Sequence, residues 1–290
     1  MNVIWSKYVQ GIKTLYYSRK LRFDDMFAEQ YKALFDLKED GKIKILEIGC
    51  GPGALAGALH RWYPNAEVTA VDRDSEFIRF AKEYEKGIEF LEADATDLPF
   101  GDNTFDVTIS NTVSEHIEPS KFYGEQLRVL KPGGICLVLS ARKGINITPS
   151  CIASNEYEQQ FWKKAEQHDD SMEKYSVCQY PMSEAQLPAA MEQYGFRDVK
   201  TGYAVIDLTP DDPKFSPALA HDMINAGRYT TLDAIGSVLH TMPEHFTAEE
   251  VEEMKRLTNA KYDTRIGQYD RGEKQWDTNV SITMVVRGVK

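Results

Sequence analysis

Ile45-Leu46-Glu47-Ile48-Gly49-Cys50-Gly51-Pro52-Gly53 decides how the rest of this 290-residue chain is read. An apolar run of strand length carries one acid, Glu47, and enters a glycine turn, after which Leu55, Ala58, Leu59 and Trp62 recur at helical spacing. Glycine adopts positive φ freely and puts no Cβ in the way, so a strand, a glycine turn and a helix make a place where a ligand can lie against main-chain N–H groups. Taken alone the stretch is ambiguous. Gly49, Gly51 and Ala54 also satisfy the G-x-G-x-x-A fingerprint of dinucleotide binding, and Asp72 lies about 20 residues on, where a ribose-binding acid belongs.

Outward from this stretch, apolar runs alternate with helical patterns, which predicts a parallel sheet covered on both faces. The strands expected are Ile43 to Ile48, Val68 to Val71, Glu89 to Glu92, Phe105 to Ser110, Gly134 to Leu139, Tyr203 to Leu208 and a closing Asn279 to Val286. Ser75 is the expected N-cap of a helix stopped by Gly87, and Ser120 that of a helix ended by Lys131-Pro132-Gly133-Gly134. Residues 1–40, rich in aromatic side chains, read as an N-terminal helical flap, and 41–140 as the α/β core. An insertion or lid follows over 141–182, then a core helix and sixth strand over 183–208, a helical insertion over 209–275 and the closing strand over 276–290. Ser183 with Gln186, and Thr247 with Glu250, have the form of capping boxes, the second reinforced by a staple between Phe246 and Val251.

Composition excludes several function classes. Forty-five acidic against thirty-four basic residues give a net charge of −11, a field that repels polyphosphate, and the densest basic run, Ser18-Arg19-Lys20-Leu21-Arg22, is short. Nucleic acid is therefore not expected as a partner. With 42% hydrophobic and 27% charged residues and a mean hydropathy of −0.45, the chain reads as an ordinary soluble protein. Its apolar runs are far shorter than a membrane span and its first residues lack a signal-peptide core, so no membrane and a cytoplasmic location are expected. Four cysteines at 50, 136, 151 and 178 show no ligand spacing, so no metal site is expected.

Five motifs follow the glycine turn in order: Ala93-Asp94-Ala95 after the third strand, Leu98-Pro99-Phe100, Phe105-Asp106-Val107, Asn111 to Ile117, and Leu130-Lys131-Pro132-Gly133-Gly134. In this register the chain resembles the class I S-adenosylmethionine-dependent methyltransferases, closely over 43 to about 140 and more loosely beyond. The resemblance implies a doubly wound α/β sheet of seven strands ordered 3-2-1-4-5-7-6 with the last antiparallel, helices on both faces and a helical lid. It implies S-adenosylmethionine as cofactor and S-adenosylhomocysteine as product.

Carried over by position, Gly49, Cys50, Gly51 and Gly53 border the amino-acid part of the cofactor, with Glu47 supporting the turn. Asp72 would accept hydrogen bonds from both ribose hydroxyls. Asp94 would take the adenine amine and the Ala95 N–H a ring nitrogen, with Arg73 beside them, while Asn111 would border the methyl end. His116 is the candidate general base, having a pKa suited to that work. Tyr16, Tyr17, Glu115 and His168 are candidates for the acceptor pocket. The acceptor is expected to be a small molecule, because neither an Asn-Pro-Pro-Tyr type motif after the fourth strand nor a Pro-Cys nucleophile pair is present. The insertions offer a homodimer surface. Two alternatives stand beside this reading: a nicotinamide-dependent oxidoreductase, which leaves Asp94 and the Lys131 to Gly134 turn unexplained, and a non-catalytic S-adenosylmethionine-binding module.

Overall fold

The computed structural model describes residues 5–38, 41–169, 175 and 177–290. The alternating apolar runs become a seven-stranded sheet of order β3-β2-β1-β4-β5-β7-β6. Its strands are β1 Lys44–Ile48, β2 Glu67–Asp72, β3 Glu89–Glu92, β4 Phe105–Asn111, β5 Leu130–Ile147, β6 Arg197–Leu208 and β7 Thr278–Val289. β1 lies parallel between β2 and β4, with Ile48 level with Val71 on one side and Ser110 on the other. Gly49, Asp72 and Asn111 therefore leave the sheet at the same edge. The end of β7 meets the start of β5: the Lys290 N–H donates to the Gly134 carbonyl at 2.9 Å and the Gly133 N–H to the Lys290 carbonyl at 3.1 Å, so the last strand is antiparallel as expected.

The helices among the described residues are α1 Trp5–Tyr8, α2 Ile12–Arg22, α3 Ala28–Phe35, α4 Ala54–Trp62, α5 Ser75–Tyr84, α6 Pro119–Val129, α7 Glu156–His168, α8 Gln186–Gln193, α9 Pro217–Thr241 and α10 Ala248–Asp270. Burial of β1 is complete at Ile45, Leu46 and Ile48, because a central parallel strand is covered on both faces. Leu46 and Ile48 pack with Val71, Leu98, Phe105 and Val129. A second cluster joins α6, β5, α8 and β7 through Tyr123, Val138, Met191 and Val286. Each such side chain contributes about 1.5–3 kcal/mol by leaving water.

By contact the chain divides into two compact units. One holds residues 15–143, 177–206 and 282–290, and so most of the sheet. The other gathers 1–14, 144–176 and 207–281. In the second unit Phe161, Ile235, Val238, Phe246, Val251 and Met254 share one core, and the capping box and staple expected at Thr247 are present at the start of α10. Arg265 is fully buried there between Asp211 and Asp277, which accept from Nη2 at 2.9 and 2.6 Å.

Several boundaries differ from expectation, each for a local reason. β5 begins at Leu130 and runs through Lys131 to Gly134, because those residues bulge between the pairs Phe105–Leu130 and Val107–Ile135. It also continues to Ile147, and β6 starts at Arg197, well before Tyr203. Asp74, not Ser75, caps α5, its carboxylate accepting the Glu76 N–H. The Ser120 hydroxyl bonds Glu118, and α6 starts at Pro119, whose fixed φ suits the first helical position. Phe23, Tyr31, Phe35 and Trp62 are buried, with Tyr31 stacked on Trp62 at 5.5 Å, so the aromatic residues of α2 and α3 mostly pack these helices onto the core.

Candidate active site

The glycine turn after β1 takes the left-handed backbone that its residues permit, with φ of 69° at Gly49, 52° at Gly51 and 90° at Gly53. The Gly49 and Cys50 N–H groups donate to the Val71 carbonyl at 2.8 and 2.9 Å, tying the turn to β2. A Cβ on Gly49 would lie 2.5 Å from Val113 Cγ2, and one on Gly53 3.0 Å from both Ala81 Cβ and Phe90 Cζ. Neighbouring chain therefore approaches the turn as closely as glycine allows.

Asp72, at the end of β2, is held in a fixed orientation. Oδ2 accepts the Gly51 N–H at 2.8 Å and Oδ1 the Asp74 N–H at 2.9 Å. Each oxygen keeps a second acceptor site. Burial raises its pKa against the opposing effect of those two N–H groups. Glu47 is 2% exposed, and burial followed by the Asp72 charge holds its carboxyl well above the usual range, opposed by the Ala56 N–H and by Arg19. Its Oε2 is buried without a hydrogen-bond partner among the described residues. Burial likewise pushes the Cys50 thiol well up, which makes it an inert neighbour of the turn.

The segment after β3 is clamped by α6. Glu125 accepts the Leu98 N–H at 2.7 Å, while Arg128 donates to the Leu98 carbonyl at 3.0 Å and the Phe100 carbonyl at 2.7 Å. Asp94 folds the same segment by accepting the Thr96 N–H and hydroxyl through Oδ1, both at 2.8 Å. Ala95 packs against the apolar cluster that holds Leu46, Ile48, Val71 and Leu98. Arg73 is exposed next to Asp72 and near His116, and its charge acts on both.

At the end of β4, Asn111 is followed by Thr112, whose φ of 54° is strained for a β-branched residue. The Thr112 hydroxyl donates to the Asn111 carbonyl at 2.7 Å and accepts from Arg19 Nη2 at 2.8 Å. Glu115 and His116 form one short turn with Ser114, laced to 178–180: the Tyr180 N–H donates to the Glu115 carbonyl at 2.8 Å and the Cys178 N–H to His116 Nδ1 at 3.0 Å. A ring that accepts at Nδ1 while neutral carries its proton on Nε2. Burial also lowers the His116 pKa. The ring lone pair is thus engaged, which suits His116 to donating a hydrogen bond and ill suits it to base work.

The remaining candidates separate. Tyr16 is 3% exposed, gives its hydroxyl to Glu85 at 2.7 Å and packs edge-on to Phe80, so it anchors α2. Tyr17 is half-exposed and edge-on to Tyr16. His168 belongs to the other compact unit, stacked on His245 with ring centres 3.7 Å apart. Arg19, which the sequence reading treated as part of a basic run, reaches Thr112. The signal available for it was its helical phase: with Tyr16 and Phe23 it falls at i, i+3 and i+7, on the face that packs inward.

Residues 46–138 match the family described as Methyltransferase domain. A fatty-acid O-methyltransferase of Mycolicibacterium smegmatis is 40% identical over 112 residues, which are 37% of this chain and 40% of that protein. A ubiquinone/menaquinone biosynthesis C-methyltransferase of Desulfotalea psychrophila is 38% identical over 104 residues, 35% of this chain and 42% of that one. The chain thus spans about two-fifths of the length of these curated relatives, 40% and 42%. Among solved structures, the 4+2 cyclase SpnF aligns with a TM-score of 0.51 at 16% identity, over 92% of this chain and 80% of that one, a likeness of fold. The matching segment carries the glycine turn, Asp72, Asp94 and Asn111, and over this segment the chain is similar to methyltransferases.

Proposed function

We propose that the chain methylates a small-molecule acceptor with S-adenosylmethionine. The observation that carries this reading is the oriented Asp72 carboxylate beside a positive-φ glycine turn and a Glu47 Oε2 without a hydrogen-bond partner among the described residues, all at the ends of adjacent parallel strands. Gly49, Gly51 and Gly53 admit a ligand to the backbone. Asp72 would hold the ribose hydroxyls, Asp94 the adenine amine, the Ala95 N–H a ring nitrogen, and Asn111 would border the methyl end. The cofactor supplies a methyl group on a sulfonium, which leaves as a neutral thioether.

What this chain must then do is hold the acceptor in line and keep water out, which accounts for most of the rate in such a reaction. Acceptor choice is assigned to the flap over 1–40 and the insertions over 141–182 and 209–275, since these lie outside the segment that matches the methyltransferase family. The acid-rich composition and the substrates named for the relatives support a small molecule, without nucleic acid or membrane. No described helix is long and apolar enough to cross a membrane. A homodimer through the insertions over 141–182 and 209–275 is part of the proposal, and sedimentation velocity reads it.

The test is thermal unfolding with S-adenosylmethionine, S-adenosylhomocysteine or NAD at about 100 times Kd, where one-site linkage adds about 2.7 kcal/mol. Both adenosyl ligands are expected to raise Tm by several degrees and NAD to leave it unchanged. A rise with NAD alone overturns the reading. Binding without methyl transfer to any acceptor in an isotope screen reduces the proposal to a cofactor-binding module.

A further inference from the structure

Thr112 stands where its residue type is costly. Its φ of 54° lies in the left-handed region, which glycine and asparagine enter readily and a β-branched side chain does not. β4 has ended at Asn111, yet the Thr112 N–H still donates to the Leu139 carbonyl of β5 at 2.8 Å, so the chain bends while tied to the sheet. Val113 comes next, and its Cγ2 lies 2.5 Å from where a Gly49 Cβ would stand. The bend therefore borders the glycine turn.

What threonine supplies at this position is its hydroxyl. Oγ1 accepts from Arg19 Nη2 at 2.8 Å and donates to the Asn111 carbonyl at 2.7 Å, a chain of two hydrogen bonds from guanidinium to main chain. Burial and the neighbouring Arg22 push the Arg19 pKa down to about 10, so the guanidinium is charged at neutral pH and its bond is of the stronger, charge-assisted kind. A charged donor at the head of such a chain polarises the bond that follows. α2 itself is seated by other contacts. Tyr16 gives its hydroxyl to Glu85 at 2.7 Å, Leu15 Cδ2 reaches 3.4 Å from a Gly51 Cβ position, and Phe23 packs on Tyr31 and Trp62 with ring centres 5.2 and 6.5 Å apart. A strained backbone persists only where its surroundings hold it, and Arg19 holds Thr112 from outside the bend.

We infer that Arg19 is a positioning residue for methyl transfer, fixing through the Thr112 hydroxyl the strained peptide after β4 and with it Asn111, which would border the methyl end. The inference rests on the methyltransferase reading above. It gives α2 a part in setting the geometry of the transfer step, with Arg19 acting through Thr112 and not on the cofactor or acceptor.

Arg19→Met, Thr112→Gly and the double variant test this, because glycine takes a φ of 54° unaided and removes the hydroxyl through which Arg19 acts. In hydrogen–deuterium exchange of the unliganded protein, Arg19→Met is expected to speed exchange over 111–117 by about tenfold while α2 stays protected. On an acceptor found in the isotope screen, it should lower kcat by about 10- to 100-fold and keep KM for S-adenosylmethionine within about threefold. Arg19→Lys should recover part of both. With Thr112→Gly already in place, Arg19→Met should change exchange and kcat by less than about threefold further. Equal losses in both backgrounds overturn the inference, as expected of a residue that binds cofactor or acceptor directly. So does unchanged exchange over 111–117, or a loss of protection across α2, which would make Arg19 an anchor of its helix. Failure of the unsubstituted protein to bind S-adenosylhomocysteine in calorimetry instead defeats the methyltransferase reading itself.

Discussion

Replacing Asp72 by asparagine keeps the side-chain volume and changes one property, the number of acceptor oxygens. In the protein as it stands, both carboxylate oxygens hold a backbone N–H, at 2.8 Å from Gly51 and 2.9 Å from Asp74, and both keep a free acceptor site toward the ligand. An asparagine has one oxygen, so one of those N–H groups faces an NH2. Two charge-assisted contacts to ribose hydroxyls, each about 1.5–3 kcal/mol, fall to neutral ones of about 0.5–1.5 kcal/mol. The expected loss is about 2–3 kcal/mol, or about 30- to 150-fold in Kd for S-adenosylhomocysteine by calorimetry.

Stability of the unliganded protein should change less, because two effects oppose. The unmatched N–H costs about 1–3 kcal/mol. Removal of a carboxylate whose pKa burial has raised relieves the folded state, and that relief grows as pH rises above the unfolded acid's value near 3.9. An Asp72→Asn protein that binds S-adenosylhomocysteine within about threefold of the original would refute the ribose assignment.

Three further outcomes follow from the same geometry. Glu47 holds its proton in the folded state at pH values where the unfolded chain has lost it, since burial and Asp72 outweigh Arg19 and the Ala56 N–H. Its contribution to stability is therefore complete below about pH 4.3 and declines as pH rises toward the folded value. Glu47→Gln should become progressively more stable than the original in urea melts from pH 5 to 8, whereas a constant difference would count against a raised carboxyl. Gly49→Ala places a Cβ 2.5 Å from Val113 at a φ of 69°, and should lower stability by about 2–4 kcal/mol in denaturant melts; a neutral effect would mean that the turn is looser than it stands. His116→Asn leaves an oxygen where Nδ1 accepts the Cys178 N–H, so turnover on an identified acceptor should keep its pH profile between pH 6 and 9. Loss of a limb in that range would restore the base role.

Much of the site was legible because it is local. The strand, glycine turn and helix from Ile45 to Trp62 occupy consecutive residues, and the positive φ of Gly49, Gly51 and Gly53 follows from residue type. The capping box at Thr247 was equally visible, since its partners are three residues apart. Less legible was α9, whose interior carries Gly227 and Gly236 and whose long apolar pattern lacks a strong helical signature. The length of β5 was missed because Pro132 and Gly133 signal a stop, and only pairing with β4 turns them into a bulge.

The sequence by itself determined the order of elements, the strand to which each acid belongs and the glycines that border it, because these are properties of residues a few positions apart. Tertiary structure alone decided that Arg19 meets Thr112 across 93 positions, that Gly51 and Asp74 orient Asp72, and that the His116 lone pair is spent on Cys178. It also decided that Glu47 is buried with an oxygen to spare. Periodicity reports which face of an element is apolar, but the charge state and the unused bonding capacity of a side chain depend on what packing brings within about 3 Å of it.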